Sequence, residues 1–257
     1  SAKASTRGLL VRLAKHAAFR LVLRSALRRA RLIFAPTQFV ATDLERLANV
    51  DHNKIVVTGE GITKFSEVDP SLCSTKPFLL YVGSAYPHKR LDLLLQAWHE
   101  IASRHPNHEL VIAGEMDAFM EKVKTSSLQS PASSPVRFLG RVTDAQLAAL
   151  YERADVFVFP SSHEGFGLPP LEALSRGCPV VASDIPCLRE VLPASGVEWF
   201  RDGDLHGMIR ALETTLKDVS SAKRAAVSAQ SWIQMHHDWK KSAGIVLKSY
   251  RASIESK

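Results

Sequence analysis

Short apolar runs alternate with helical segments from Phe78 onward, and this alternation limits the folds that the chain can adopt. The runs have four or five residues, mostly Val, Ile, Leu and Phe, and lack the polar alternation of a half-exposed strand. Such runs are typical of strands covered by helices on both faces. They are Phe78–Val82, Glu109–Ala113, Val136–Leu139, Asp155–Phe159, Pro179–Ala182 and Val197–Phe200. The sequence therefore predicts an α/β fold with a doubly wound, Rossmann-like parallel sheet.

The sequence divides into three predicted parts. Residues 1–70 combine a helix over 9–30 with two short strands, and a polar linker over 69–77 follows them. Residues 76–220 form the sheet with its helices, and residues 221–257 form one long closing helix. The remaining predicted elements are the strands Leu32–Ala35 and Ile55–Val57, a helix that begins at Thr37 or Thr42 and runs to about Asn49, and the helices Leu91–Arg104, Met116–Leu128, Asp144–Arg153, Leu168–Arg176 and Leu205–Lys217.

Positive charge is concentrated at the amino terminus. Nine of the 33 Lys and Arg residues lie in the first 31 positions, which contain no Asp or Glu. That leaves 24 basic against 26 acidic residues in the rest of the chain, so the net charge of +7 comes from this segment. A helix would place four arginines on one side and five apolar residues on the other. They are Arg20, Arg24, Arg28 and Arg31 against Ala18, Phe19, Val22, Ala26 and Ala30.

This basic helix admits three interpretations: a solvated face, a nucleic-acid contact, or a patch over residues 9–31 that meets an anionic membrane. Nucleic acid is disfavoured because the arginines are not interleaved with aromatic residues and the rest of the chain is slightly acidic. The other two stay open. No stretch reaches the ~18 to 20 apolar residues of a membrane span. We therefore expect a cytoplasmic protein, either free or peripheral on the inner face of the membrane.

Ligands of a doubly wound sheet bind beyond the carboxyl ends of its strands. Three of the predicted ends begin with glycine, at Gly83, Gly114 and Gly140, and glycine lets a ligand approach the backbone closely. The three spaced glycines of a dinucleotide fingerprint are absent from the first turn, which disfavours NAD and FAD. The three cysteines, Cys73, Cys178 and Cys187, are too few and too scattered for a disulfide scaffold, and we interpret them as reduced core thiols.

The segment from Glu164 to Glu172 carries the most specific signal. Gly165 and Gly167 lead into a predicted helix with two prolines in its first turn, where proline is tolerated. Backbone N–H groups over 165–168 and the positive end of the helix predict a site for an anionic or hydroxyl-rich ligand. Glu164 faces that site, and Glu172 can accept two hydroxyl hydrogen bonds from a ribose. The alternative is a capped helix with two incidental acids.

The two glutamates, eight positions apart, resemble the E-x7-E signature of the retaining GT-B glycosyltransferases of the group 1 (family 4) type. Further similar stretches follow in family order between about residues 30 and 250. They are Tyr81–Gly83 with Pro87–Lys89, Phe138–Val142, Ala154–Ser161, Gly177–Ser183 and Trp239–Ala243. The resemblance implies transfer of a hexose from a nucleoside-diphosphate sugar to a glycan or lipid-linked acceptor, with retention at the anomeric carbon. The Gly-Leu-Pro-Pro-Leu version resembles bacterial polysaccharide mannosyltransferases, which favours GDP-mannose as donor, with a UDP-sugar second.

The same resemblance implies a role for each donor-site residue. Glu164 is the catalytic residue that contacts the donor sugar, Glu172 holds the ribose, and Lys89 binds the pyrophosphate, where a cation offsets the charge on the departing diphosphate. The other implied donor contacts are Gly83, Ser84, the backbone of Arg141 and Val142 around the base, and Gly165, Phe166, Gly167 and Leu168. Many relatives carry an arginine just after the first-strand glycine. Here Ser84 and Ala85 stand there, so neutralisation is expected to rest on Lys89, helped by Arg90.

Several residues have competing interpretations. His163 is either an acid or base or, in the favoured interpretation, a packed loop histidine, and the alternative for Lys89 is a lysine at a helix start. Residues 202–204 match the metal-binding D-x-D of a different glycosyltransferase fold, but Asp204 as a helix cap is favoured. No His/Cys cluster has metal spacing, so neither metal nor cofactor is expected beyond the donor substrate. Trp232 and Trp239 are predicted to be core anchors of the closing helix.

The family resemblance also implies a second domain. Family members have two domains, and residues 1–70 match only the tail of an amino-terminal acceptor domain. We therefore expect a donor domain that binds nucleotide sugar, together with a remnant of the acceptor domain. The alternative hypothesis is a donor-binding module or subunit that needs a partner chain or the missing domain for activity.

Overall fold

The computed structural model describes residues 2–128 and 135–255, which form two compact units. One comprises Ser1–Gly59 with Lys240–Lys257, and the other comprises Glu60–Trp239. The division lies at residue 59, whereas the sequence places it in the linker over 69–77. The difference arises because the segment after residue 60 packs within the second unit. There the Phe65 and Tyr151 rings meet edge to face, and the Asp69 N–H donates to the Ala145 carbonyl over 2.9 Å.

The first unit contains a small parallel pair of strands. Its elements are α1 (Ala2–Arg29), β1 (Ile33–Ala35), α2 (Gln38–Ala48), β2 (Ile55–Val57) and all but the first residue of α10 (Trp239–Glu255). Strand β1 pairs with β2 in the register Ile33 to Ile55. Thr37 begins α2, because its hydroxyl accepts the Val40 N–H over 3.2 Å, and Asn49 ends it in the left-handed conformation. The strands and helices predicted for this region are confirmed.

Helix α1 exposes both its charged and its apolar side chains. Arg20 and Arg24 are exposed. Phe19, Leu21 and Val22 are also exposed, by 63 to 73%. The apolar side of the predicted amphipathic helix is therefore uncovered within its unit. The described part of the chain contains no helix both long and apolar enough to cross a membrane.

The second unit is built on a six-stranded parallel sheet in the order β5-β4-β3-β6-β7-β8. Its strands are β3 (Phe78–Val82), β4 (Glu109–Ala113), β5 (Val136–Gly140), β6 (Val156–Phe159), β7 (Val180–Asp184) and β8 (Val197–Arg201). Strand β3 lies between β4 and β6, so the chain order reverses there and opens a crevice at the carboxyl ends. The predicted fold class and all six predicted strands are confirmed.

Helices cover both faces of this sheet. They are α3 (Leu91–Ile101), α4 (Ala118–Leu128), α5 (Asp144–Arg153), α6 (Leu168–Ser175), α7 (Pro186–Val191), α8 (Leu205–Lys217) and α9 (Val219–His236). Successive strand residues point to opposite faces, so Leu80 and Phe157 enter one core cluster while Leu79 and Val158 enter the other. Cys178 and Cys187 are buried, Cys73 is half-buried, and all three are free thiols, as predicted.

The prediction of one long closing helix is wrong. Helix α9 ends at His236 and α10 begins at Trp239. Between them the buried His237 ring lies 5.6 Å from the Phe166 ring, and its Nε2 lies 3.0 Å from the Val191 carbonyl oxygen. These tertiary contacts turn the chain out of the helix. Trp239 is consequently 54% exposed, so it is not the predicted core anchor, whereas Trp232 packs against the core. The sequence also missed the short helix α7.

Candidate functional site

Three glycines, Gly83, Gly114 and Gly140, line the carboxyl edge of the sheet at the ends of β3, β4 and β5, and together they form what we call the glycine edge. The Gly83 N–H donates to the Ala113 carbonyl over 3.0 Å, and the Gly114 N–H donates to the Gly140 carbonyl over 2.9 Å. A Cβ on Gly114 would lie 2.0 Å from the Gly83 carbonyl oxygen, a separation that no side chain tolerates. The ends of β3 and β4 can approach only because this position has no side chain. A ligand at this edge therefore meets backbone.

Lys89 and Glu164 meet in the crevice. Lys89 closes the 3-10 turn Pro87–Lys89 after β3, and Glu164 lies in the loop after β6. The Lys89 Nζ lies 2.7 Å from the Glu164 Oε1, and the two side chains are only 20% and 13% exposed. The Phe159 ring lies 5.4 Å from the same ammonium group. The Ser162 N–H fixes the loop by donating to the His88 carbonyl over 2.8 Å. The structure thus forms an ion pair between residues 75 positions apart in the chain.

The loop into α6 is shaped by close packing. Gly167 has a φ of +104°, and a Cβ there would lie 2.5 Å from the Leu188 Cδ2. Phe166 is buried, and its carbonyl accepts a hydrogen bond from the Cys187 thiol over 3.4 Å. Leu168 begins the helix, and Pro169 and Pro170, which follow it, carry no N–H. The donors at this helix start therefore lie no further along the chain than Leu168.

Glu172 lies inside α6, and only 8% of its surface is exposed. The Tyr151 hydroxyl donates to its Oε2 over 3.4 Å, and the Thr63 hydroxyl is a second hydrogen-bond partner. Burial raises the pKa of Glu172, and these two hydrogen bonds counteract the rise. Burial and the nearby Glu172 raise the pKa of the Tyr151 hydroxyl, so Tyr151 is a stable neutral donor. The sequence did not identify Thr63 or Tyr151 as partners, because nothing in the local pattern marks them.

The other predicted site residues lie at strand ends around the same edge. The Ser84 carbonyl accepts the Tyr81 hydroxyl over 2.6 Å, which fixes the first-strand loop. Arg141 is exposed just after β5, whereas Val142 is half-buried and packs against the core. His163 is exposed in the loop beside Glu164, so the expectation of a packed histidine is wrong. Arg90, the proposed helper of Lys89, adopts the left-handed conformation with a φ of +52°.

Of the two acids at residues 202 and 204, Asp204 has a structural role. The Asp204 Oδ1 accepts the Gly207 N–H over 2.9 Å and caps α8, which confirms the predicted helix cap. Within residues 2–128 and 135–255, no three His, Cys, Asp or Glu side chains are grouped closely enough to hold a metal ion.

Comparison with known proteins identifies the family. The family described as glycosyl transferases group 1 matches residues 64–232, which include the glycine edge, Lys89, Glu164 and Glu172. The chain belongs to the group 1 glycosyltransferases. It is 33% identical over 193 residues to the O-antigen chain mannosyltransferase B of Escherichia coli, covering 68% of this chain and 49% of that protein. It is 32% identical over 180 residues to the glycogen synthase of Mycobacterium tuberculosis strain H37Rv, covering 68% and 42%.

Solved structures share the architecture of this group 1 glycosyltransferase chain. Sucrose-phosphate synthase from Thermosynechococcus elongatus superposes with a TM-score of 0.80 at 22% identity, covering 93% of this chain and 62% of that one. The Anabaena HepE protein in complex with UDP and glucose superposes with a TM-score of 0.78 at 20% identity, covering 91% and 66%. These likenesses show the GT-B fold. The chain spans about half the length of the curated relatives that it matches.

Proposed function

We propose that this chain is the donor-binding part of a retaining hexosyltransferase, and that it moves mannose from GDP-mannose to a glycan or lipid-linked acceptor. The ion pair between Lys89 and Glu164 in the crevice carries the proposal, because it places a cation that would bind a diphosphate beside a carboxylate that would face the sugar. The similarity to an O-antigen chain mannosyltransferase of Escherichia coli favours mannose. The Anabaena structure with UDP and glucose makes a UDP-sugar the second candidate.

Lys89 and Glu164 would act on the two sides of the bond that breaks. An acceptor hydroxyl oxygen would form the new bond to the anomeric carbon while the bond between that carbon and the diphosphate oxygen breaks. The electron pair of the broken bond would pass to the diphosphate oxygen, which would also take up the proton of the acceptor hydroxyl. The Lys89 ammonium would offset the negative charge that develops there, and the Glu164 carboxylate would stabilise the positive charge on the anomeric carbon. Both side chains are largely withdrawn from water, which strengthens these interactions. Lys89 would supply this charge without a metal ion.

The nucleoside would bind along the rest of the crevice. Glu172, held by Tyr151 and Thr63, would accept hydrogen bonds from the ribose hydroxyls while ionised. The glycine edge would let the diphosphate approach the backbone of Gly83 and Ser84, and the backbone of residues 141–142 would contact the base. Backbone N–H groups before Pro169 would complete the donor contacts at the start of α6.

A nucleotide panel tests this proposal. The chain is titrated with GDP, GDP-mannose, UDP and UDP-glucose, and both binding heat and release of free sugar are measured. We expect saturable binding, with higher affinity for GDP-mannose than for UDP-glucose. A UDP preference would replace mannose by the second candidate donor. If none of the four nucleotides binds, the donor-site assignment is wrong.

A second candidate function is a donor-binding module that needs another chain or domain for transfer. It is favoured by the length of the match, because the region that matches this chain makes up only 49% of the Escherichia coli mannosyltransferase. Binding of GDP-mannose without sugar release, and without transfer to any added mannoside, would favour this module. Transfer by the isolated chain would exclude it.

We further propose that α1 docks on an anionic membrane on the cytoplasmic side. Arginines and exposed apolar residues occur together on this helix, as in helices that lie in a membrane interface. Each nearby Lys or Arg could add ~1 kcal/mol on anionic lipid. Sedimentation with vesicles of phosphatidylglycerol or of phosphatidylcholine tests the proposal. Docking predicts binding to the anionic vesicles only, weakened in an Arg20→Glu/Arg24→Glu variant, whereas equal binding to both, or none, would favour plain solvation.

A further inference from the structure

Residues 60–69 form neither a helix nor a strand, yet they carry one of the hydrogen-bond partners of Glu172. The Thr63 hydroxyl donates to the Glu172 carboxylate, as the Tyr151 hydroxyl does. A side chain on a segment without regular structure keeps its place only where other contacts hold the segment. The contacts that fix residues 60–69 therefore also determine how well Thr63 meets Glu172.

Packing around the middle of this segment is incomplete. Residues 63–67 line a cavity of about 120 Å³ together with Asp144 and Ala145 at the start of α5. Atoms that border such a space lack attractive contacts on that side. The backbone N–H groups of Ile62 and Asp69 tie the two ends of the segment to carbonyl groups elsewhere in the unit. The middle of the segment needs a further contact.

Arg176 supplies this contact. It follows the last residue of α6, and its guanidinium donates to the Phe65 carbonyl over 2.8 Å and to the Glu152 Oε1 over 2.7 Å. The guanidinium carbon lies 5.1 Å from the centre of the Phe65 ring. Only 20% of the Arg176 side chain is exposed, so water competes weakly for these contacts. One planar group thus holds both the backbone and the ring of Phe65.

The end of α6 and the segment meet in matching order. Glu172 and Arg176 are four positions apart, which is about one helical turn. Thr63 and Phe65 are two positions apart, and Thr63 contacts Glu172 while Phe65 contacts Arg176. The Phe65 ring also meets the Tyr151 ring edge to face. Displacing Phe65 would therefore displace Thr63 from the carboxylate.

We propose that Arg176 is a positioning residue of the donor site. By holding Phe65, it keeps the Thr63 hydroxyl on Glu172, and it thereby sets how strongly the chain distinguishes a ribose from a dideoxyribose. A carboxylate that two hydroxyl donors hold in place keeps its other lone pairs directed at the ribose hydroxyls. This inference rests on the proposed function, because the ribose contact is part of it.

A double-mutant cycle tests the coupling. The ribose preference, which is the ratio of affinities for GDP and 2′,3′-dideoxy-GDP, is measured by competition binding in the unmodified chain, Arg176→Met, Thr63→Val and the combined variant. Each single variant should lower the preference about threefold or more, because each loses the Thr63 hydrogen bond. The combined variant should fall no further than Thr63→Val alone. Arg104→Met, which loses an ion pair of 2.7 Å with Glu213, is the matched control and should keep the full preference.

Arg176→Lys repeats the test with the charge kept. Lysine lacks the planar fork that holds Phe65 and Glu152 together, so the ribose preference should fall in this variant as well. A full preference in Arg176→Lys would show that a positive charge suffices and would overturn the proposal.

A measurement without nucleotide separates this inference from the donor assignment. The carboxyl NMR signal of Glu172 is titrated with pH in the same chains. Burial raises the pKa of Glu172, the hydrogen bonds of Thr63 and Tyr151 lower it, and the charge of Asp144 raises it. Loss of the Thr63 hydrogen bond should therefore raise this pKa in Arg176→Met and in Thr63→Val, and the combined variant should match Thr63→Val.

The two readouts give distinct outcomes. Equal ribose preference in Arg176→Met and the unmodified chain rejects the positioning role and leaves the ribose assignment standing. Effects of Arg176→Met and Thr63→Val that multiply in the combined variant also reject it, since Arg176 would then act independently of Thr63. If the unmodified chain shows no ribose preference but the pKa of Glu172 rises in Arg176→Met, the ribose assignment is wrong and Arg176 still positions Glu172.

Discussion

The Lys89 ammonium lies 2.7 Å from the Glu164 carboxylate, although the two residues are 75 positions apart in the chain. Any phosphate that binds the same ammonium must therefore lie beside a carboxylate. The diphosphate product carries more negative charge at this point than its sugar ester does. Glu164 should consequently oppose the product more strongly than the donor, which would favour product release.

Replacing Glu164 by glutamine tests this relationship. Glu164→Gln removes the competing carboxylate, so we expect GDP to bind about tenfold more tightly, a gain of ~1.4 kcal/mol. Affinity for GDP-mannose should not rise equally, because the contact to the sugar is lost. Calorimetric titration of both ligands measures the ratio. Glu198→Gln, an exposed acid on β8, is the matched control. Weaker GDP binding in Glu164→Gln would contradict this prediction.

The glycine edge gives a prediction for stability. A Cβ on Gly114 would lie 2.0 Å from the Gly83 carbonyl oxygen. Gly114→Ala should therefore destabilise the chain by about 1–3 kcal/mol and weaken nucleotide binding, because the ends of β3 and β4 must separate. Urea unfolding measures the first effect and nucleotide titration the second.

A glycine elsewhere provides the control for this measurement. Gly244 lies within α10, and a Cβ there would meet nothing within 4 Å. Gly244→Ala should stabilise the chain by about 0.5–1 kcal/mol, because alanine loses less backbone entropy than glycine in a helix. Equal unfolding curves for Gly114→Ala and the unmodified chain would show that the edge is not closely packed.

The position of Glu172 leads to a prediction about how the chain recognises the ribose hydroxyls of the nucleotide. If Glu172 accepts the ribose hydroxyls, the unmodified chain should prefer GDP to 2′,3′-dideoxy-GDP, since a hydrogen bond to a charged group contributes about 1.5–3 kcal/mol. Glu172→Gln should remove most of that preference, and Tyr151→Phe should reduce it less, because Thr63 still holds the carboxylate. Competition binding with the two nucleotides measures it. An unchanged preference in Glu172→Gln would refute the ribose assignment.

The burial of His237 leads to a prediction about how the free energy of unfolding depends on pH. Burial lowers the pKa of His237 from 6.5, although its contacts to the Val191 and Glu60 backbone partly oppose this effect. Between the lowered value and 6.5, the unfolded chain binds more protons than the folded chain, so the free energy of unfolding rises with pH. Acidification below about pH 6.5 should therefore destabilise the chain.

The variant His237→Gln isolates this contribution. It should be less stable than the unmodified chain at pH 7.5 and should lose less stability on acidification to pH 5.5. The comparison is made between chains because Glu45 raises the pKa of His52, which gives a slope of opposite sign in both of them. Urea unfolding at the two pH values provides the data. Parallel pH profiles for the two chains would contradict the assignment.

The sheet was predictable from the sequence because buried parallel strands leave a local signature. Runs such as Phe78–Val82 are continuously apolar, and they became strands within a residue or two of the predicted ends. The cap at Asp204 was predictable for the same reason, since the capping residue lies only three positions from Gly207. Interactions that span few residues appear directly in the local pattern.

Contacts across the fold were not predictable in this way. The break at His237 depends on Val191 and Phe166, and the hydrogen bond from Tyr151 to Glu172 spans 21 positions. The residues around position 237 have the composition of a helix, so the local sequence does not predict a break that depends on distant partners.

Calorimetric titration of GDP into the unmodified chain and into Lys89→Met tests the central claim most directly. Methionine keeps much of the side-chain volume and removes the charge, and Lys76→Met, at an exposed lysine, is the matched control. If Lys89 is the cation that holds the diphosphate, GDP affinity should fall at least about tenfold in Lys89→Met and stay unchanged in Lys76→Met. Equal GDP affinity in all three chains would contradict the proposed donor site.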